Sequence, residues 1–126
     1  MTPNIYRENL MDHYKNPRNL GLSSDFDIEL QAKNPMCGDE LTIQLKIEDN
    51  KIKSFSYGGD ACAVAISSAS ILSEEIIGKS IEDAFNFSKG QLLDLIGVPL
   101  TTSRIKCATL SLEALKDAIN EFKRKK

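Results

Sequence analysis

Leu41, Ile43, Leu45 and Ile47 alternate with Thr42, Gln44, Lys46 and Glu48. A period of two predicts a strand over 41–48 with one face on a core and the other polar. Two further stretches, DIELQA at 27–32 and IKSFSYG at 52–58, read as strands, and DNK at 49–51 predicts a hairpin turn between the second and third. The expected sheet is an antiparallel meander of three strands. Ahead of it, Thr2-Pro3 reads as an N-cap with proline in the first turn. Tyr6, Leu10 and Tyr14 then recur at helical spacing until KNPRNLG stops the helix.

From residue 62 the period lengthens. Cys62, Ala65, Ala69, Leu72 and Ile76 share one face of a helix ending at Gly78. Ser80 with Asp83 predicts the cap of a short helix through Phe87, and another short helix is expected over 89–95. GVPLTT then interrupts, and Ala108, Leu112, Leu115, Ile119 and Phe122 form the stripe of a long last helix. Strands first and helices afterwards predict an α+β fold: a three-stranded antiparallel sheet with helices packed on one face.

Composition narrows the function classes. The 126 residues suit one domain over 1–126, and 41% hydrophobic with 27% charged residues is ordinary for a globular chain. A net charge of −2 argues against a nucleic-acid binder, and the one basic cluster, KRKK at 123–126, reads as a solvated helix end. No apolar run approaches the ~18 residues that span a bilayer, and the first residues do not read as a signal peptide. Three widely spaced cysteines cannot form a closed disulfide framework, so reduced thiols and a cytoplasmic location are expected.

All three cysteines fall at predicted element boundaries. Cys37 stands in NPMCGDE, two residues before Asp39. Cys62 follows YGGDA, where a helix begins, and Cys107 falls in the first turn or so of the last helix. Unpaired N–H groups at a helix N-terminus favour thiolate, the form that ligates metal and attacks sulfur. The spacing is not that of a zinc finger, and a buried cysteine also serves as a small hydrophobe, so spacing alone leaves both roles open. His13, between Asp12 and Tyr14, is expected to be a partly exposed structural residue, with no local signature joining it to a cysteine.

Four segments in order, DHYKNPRNLG (12–21), NPMCGDE (34–40), YGGDACAVAISSAS (57–70) and IKCATLSLEAL (105–115), give the chain a further character. It resembles the iron–sulfur cluster scaffold proteins of the NifU N-terminal/IscU type across nearly its whole length. The resemblance implies an α/β sandwich in which Cys37, Asp39, Cys62 and Cys107 converge at one exposed end as metal ligands. It implies a scaffold rather than an enzyme. Such a scaffold accepts sulfur from a cysteine desulfurase, binds iron, assembles a transient [2Fe–2S] cluster and passes it to apo iron–sulfur proteins. Zinc is the alternative occupant, and an iron donor joins the expected partners. Cys107 is the position expected to receive persulfide sulfur. Three thiolates and one harder carboxylate bind a sulfide-rich cluster less firmly than four thiolates would, which suits a scaffold.

Two departures bear on this. Where the IscU branch carries a histidine before the third cysteine, this chain has Lys106, which is normally protonated and offers no lone pair. Lys106 is expected beside the ligands, paired with Asp39 or anionic sulfur, or simply solvated. VPLTTSRIK at 98–106 replaces the stretch through which an Hsp70-type chaperone recognises that branch, which puts that partner in question. RIKCATL is similar instead to the SufU branch of zinc-dependent sulfurtransferases, yet the stretch between Cys62 and Cys107 has the length of the shorter scaffold. The alternative function is therefore zinc-dependent sulfur transfer. A fourth ligand could come from an outside thiol or from a cluster shared by two protomers, so monomer and homodimer both stay open.

Overall fold

The structure, a computed structural model, describes residues 3–34 and 38–125. The expected Thr2 cap and Cys37 lie outside the described residues. The order is α1 (Pro3–Lys15), β1 (Ile28–Asn34), β2 (Asp39–Glu48), β3 (Lys51–Gly58), α2 (Ala63–Ile76), α3 (Ile81–Phe85), α4 (Lys89–Ile96) and α5 (Thr102–Lys125).

The three strands form an antiparallel sheet in the order β1-β2-β3. Leu30 pairs with Ile43, Ile43 with Tyr57 and Leu45 with Phe55, so apolar residues line up across the sheet. The hairpin turn falls where expected. Asp49 and Asn50 have φ of 53° and 64°, the left-handed pair that a tight hairpin requires and that Asp and Asn tolerate. The alternation in β2 is realised as burial: Leu41, Ile43 and Leu45 are fully covered. On that face lie α2 and α5, and Leu72, Ile76, Leu112, Leu115 and Ile119 complete the core.

Gln44, on the opposite face, is also buried, at 3% exposure. The segment following α1 crosses there, and the Gln44 amide donates to the Ser23 carbonyl at 2.8 Å and accepts from the Ser23 N–H at 3.0 Å. Polar residues of β2 therefore face a loop rather than bulk water alone.

Serines let helices approach closely. Ser67, Ser68, Ser70 and Ser73 of α2 are buried, and the Ser68 hydroxyl donates to the Ala108 carbonyl of α5. The Ser70 hydroxyl lies 2.7 Å from His13 Nδ1 and accepts from the Arg18 N–H at 2.9 Å. His13 is thus structural, as expected, but buried at 5% rather than partly exposed, because α1 docks on α2 through it while Met11 and Tyr14 face outward.

Ser80 caps α3 by accepting from the Asp83 N–H at 3.1 Å, and Ser88 with Gln91 forms a reciprocal capping box on α4. Among the described residues, no helix is long and apolar enough to cross a membrane.

Candidate metal centre

Three elements deliver three donors to one end of the sheet. Asp39 opens β2 and pairs with Asn34, the last residue of β1. Cys62 is the N-cap of α2, extended at φ −71° and ψ 167°, and its own side chain makes no capping hydrogen bond. Cys107 lies in the second turn of α5. Ligand atoms of Asp39, Cys62 and Cys107 all lie within 4.8 Å of one another. A tetrahedral ion with sulfur about 2.3 Å away has ligands about 3.8 Å apart, so the donor set fits a thiophilic ion with modest contraction.

Backbone geometry makes this convergence. Gly59 has φ +138°, and a Cβ there would run into the Glu40 carbonyl oxygen. Only a residue without one lets the loop after β3 lie so close to the start of β2. The Glu40 N–H donates to the Asp60 carbonyl at 2.9 Å, and the Cys62 N–H donates to Asp39 Oδ1 at 2.9 Å. The carboxylate that could ligate a metal thus also satisfies an orphan donor at the start of α2.

Burial differs among the donors. Asp39 and Cys107 are 3% and 1% exposed, while Cys62 is half-buried and gives the site its opening. Two placements differ from the sequence reading. Asp39 belongs to the strand rather than to the turn before it. Cys107 lies deeper in its helix than expected, because α5 begins at Thr102 with residues too polar to extend the apolar stripe. Lys106 is exposed beside Cys107. Cys37 lies outside the described residues, so the structure brings together three of the four expected ligands.

Sequence reasoning missed Asn34. It is buried at 7% exposure, and its Nδ2–H donates to Cys107 Sγ at 3.8 Å. Its position in NPMCGDE, at a strand end before a proline, was the available signal.

The NifU-like N terminal domain family matches residues 5–126. The chain belongs to this family. Among NifU-like relatives, it is 36% identical over 132 residues to the zinc-dependent sulfurtransferase SufU of Bacillus subtilis, covering 91% of this chain and 89% of that protein. It is 35% identical over 121 residues to the iron-sulfur cluster assembly scaffold protein IscU 1 of Archaeoglobus fulgidus, covering 96% of this chain and 78% of that one. A crystal structure of the N-terminal part of a NifU-like protein from Brucella abortus superimposes with a TM-score of 0.76, covering 98% and 97% of the two chains. At 19% identity it speaks to the fold, which agrees with the expected sheet and helices.

Proposed function

We propose that this single-domain chain is an iron–sulfur cluster assembly scaffold, with Cys37, Asp39, Cys62 and Cys107 holding the nascent cluster. The observation that carries the reading is the meeting of Asp39, Cys62 and Cys107 donor atoms within 4.8 Å at one partly open end of the fold. Kinship with proteins named as cluster assembly scaffolds supports it.

The chain's residues supply two things. The Cys107 thiolate attacks the outer sulfur of a desulfurase persulfide, the S–S bond breaks, and the donor cysteine leaves as thiolate. Cys107 then carries the sulfane sulfur, whose reduction to sulfide draws two electrons from an external reductant. The thiolates hold iron through soft sulfur, and Asp39 contributes a harder oxygen that a sulfide-rich cluster binds weakly. Asn34 donates to Cys107 Sγ from within the fold. A [2Fe–2S] cluster so held is cargo, handed on to apo-proteins.

Exchange of Asp39 for alanine tests this: cluster release to an apo-ferredoxin slows and the bound cluster lives longer. An unchanged or shorter lifetime contradicts the reading.

Lys106 favours a second reading, zinc-dependent sulfur transfer, and so does the likeness to SufU. Under it, added protein raises desulfurase turnover and Cys107→Ser abolishes the increase, whereas turnover indifferent to the protein excludes it.

A further inference from the structure

The two edges of the sheet are finished differently. Along β3 the outer edge is covered: the Tyr57 carbonyl accepts from the Gly21 N–H, and Ile52 exchanges hydrogen bonds with Lys79 and Gly78, all at 2.8 Å. Along β1 the edge is open. The Leu45 carbonyl accepts from the Asp27 N–H, while the Glu40 N–H donates to Asp60 beyond β3. Odd-numbered residues of β2 therefore point their backbone groups at β1, and even-numbered ones at β3. Ile28, Leu30 and Ala32, opposite Leu45, Ile43 and Leu41, bond inward to β2. Glu29, Gln31 and Lys33 turn their N–H and C=O groups outward, and among the described residues no backbone hydrogen bond engages them there. Their side chains are exposed as well. Such a row is a template for another strand.

The charges on this edge say which strand. Glu29 and Lys33 stand two residues either side of Gln31. A second β1 laid antiparallel about Gln31 sets Glu29 opposite the partner's Lys33, and Lys33 opposite the partner's Glu29. These are the outward-pointing residues, so each pair also closes two backbone hydrogen bonds. A parallel copy in register, or an antiparallel one centred on Glu29 or Lys33, opposes like charges instead. Glu29 and Lys33 also reach Gln44 and Glu40 of β2, at 2.6 and 3.4 Å, contacts that leave the edge uncovered. Leu30 and Ala32, partly buried within one chain, meet the partner's Ala32 and Leu30 on the side of α5.

α5 repeats the pattern. It runs back along β1, with Cys107 beside Asn34, and with Asn120 and Leu30 lining one open hollow of about 690 Å³. Asp117 and Glu121 border that hollow ahead of Lys123 and Arg124, so two such helices set antiparallel oppose acids to bases. The Glu121–Arg124 pair within one helix, at 3.0 Å, has an exposed arginine and exchanges readily.

From this self-complementarity we infer that β1 is a dimerisation edge, where a second copy of the chain pairs antiparallel about Gln31 and continues the sheet through both protomers. The contact is isologous and closes on itself. Asn34 lies three residues from the axis, so its two copies, and with them the two metal centres, stand roughly 20 Å apart at opposite ends of the paired strands. Each centre stays open, and no cluster is shared across this interface. The inference holds whatever the centre binds.

Sedimentation equilibrium of the full chain, from about 5 to about 500 µM, should show the monomer–dimer equilibrium of a small interface. Gln31→Pro removes the central outward N–H without touching the bonds to β2. It should raise the dissociation constant about tenfold or more while keeping the parent's circular dichroism. Glu29→Lys and Lys33→Glu each oppose like charges, and each should weaken the dimer about fivefold or more. Mixed together, these two variants should associate more tightly than either does alone, which damage to the fold would not produce. Amide exchange at Glu29, Gln31 and Lys33 should slow as concentration rises, while Leu30 and Ala32, bonded to β2, stay protected throughout. A parent that is monomeric over the whole range leaves the edge to a strand of another protein and overturns the inference. A dimer indifferent to Gln31→Pro overturns it too, as do charge variants that associate no better mixed than alone.

Discussion

Gly59→Ala should damage both the fold and the metal centre, and its cost can be worked from the backbone. At φ +138° an alanine carries strain of about 1–3 kcal/mol. Its Cβ also meets the Glu40 carbonyl oxygen, which belongs to β2 and cannot rotate away. Relieving such a clash in packed structure costs a further ~1–3 kcal/mol. The total of about 2–6 kcal/mol is a large part of the roughly 5–15 kcal/mol that stabilises an ordinary domain. The segments forced apart are those carrying Asp39 and Cys62, so zinc affinity should fall by about tenfold or more, equivalent to ~1.4 kcal/mol of lost ligand geometry. Gly78→Ala is the matched control, since Gly78 also has a positive φ, +96°, but a Cβ there has nothing within 4 Å. Urea denaturation gives the stability change, and competition with a chromophoric chelator gives the zinc affinity. If Gly59→Ala is no less stable than Gly78→Ala and binds zinc as the parent does, the close approach at Gly59 does not build the site.

Other outcomes follow from the same contacts. Asp39→Asn keeps an oxygen to accept the Cys62 N–H and should cost less than about 0.5 kcal/mol, while Asp39→Ala removes the acceptor and should cost about 1–2 kcal/mol of apo-protein stability. Equal urea midpoints for the two variants would show that this hydrogen bond does not matter. Burial, with a smaller effect from Arg18, pushes His13 below its ordinary pKa of 6.5, against the opposing pull of Glu74 and Asp12. The unfolded chain then takes up the proton first as pH falls, so this contribution to stability is intact above about pH 6.5 and is lost as pH drops toward the folded value. Urea midpoints at about pH 7.5 and about pH 5.5 should therefore differ less in His13→Gln than in the parent, and an identical difference would remove His13 from the account.

The sheet was legible because Leu41, Ile43 and Leu45 alternate with polar neighbours and are buried as that alternation demands. The long helices were legible where one face is apolar, as from Ala108 to Ile119, and illegible where it is not. Thr102 to Lys106 form helix with mostly exposed side chains, so no periodic signal marked the start of α5. Asp39 and Glu40 begin β2 as polar residues and looked like turn for the same reason. His13 could not be read as buried, since Ser70 and Glu74, the partners that make burial tolerable, lie far along the sequence. For the site, residue types and boundary positions suggested thiolate chemistry, but their convergence came from resemblance. Asn34 stayed hidden because its part depends on Cys107, which only the folded chain brings near.

Anaerobic reconstitution with iron, cysteine and a desulfurase, followed by iron and sulfide analysis and by transfer to an apo-ferredoxin, tests the central claim most directly. The account predicts a cluster with matched iron and sulfide that depends on Cys62 and Cys107 and moves to the acceptor. Tightly held zinc, no cluster and no transfer, with the desulfurase accelerated, would contradict it and establish sulfur transfer in its place.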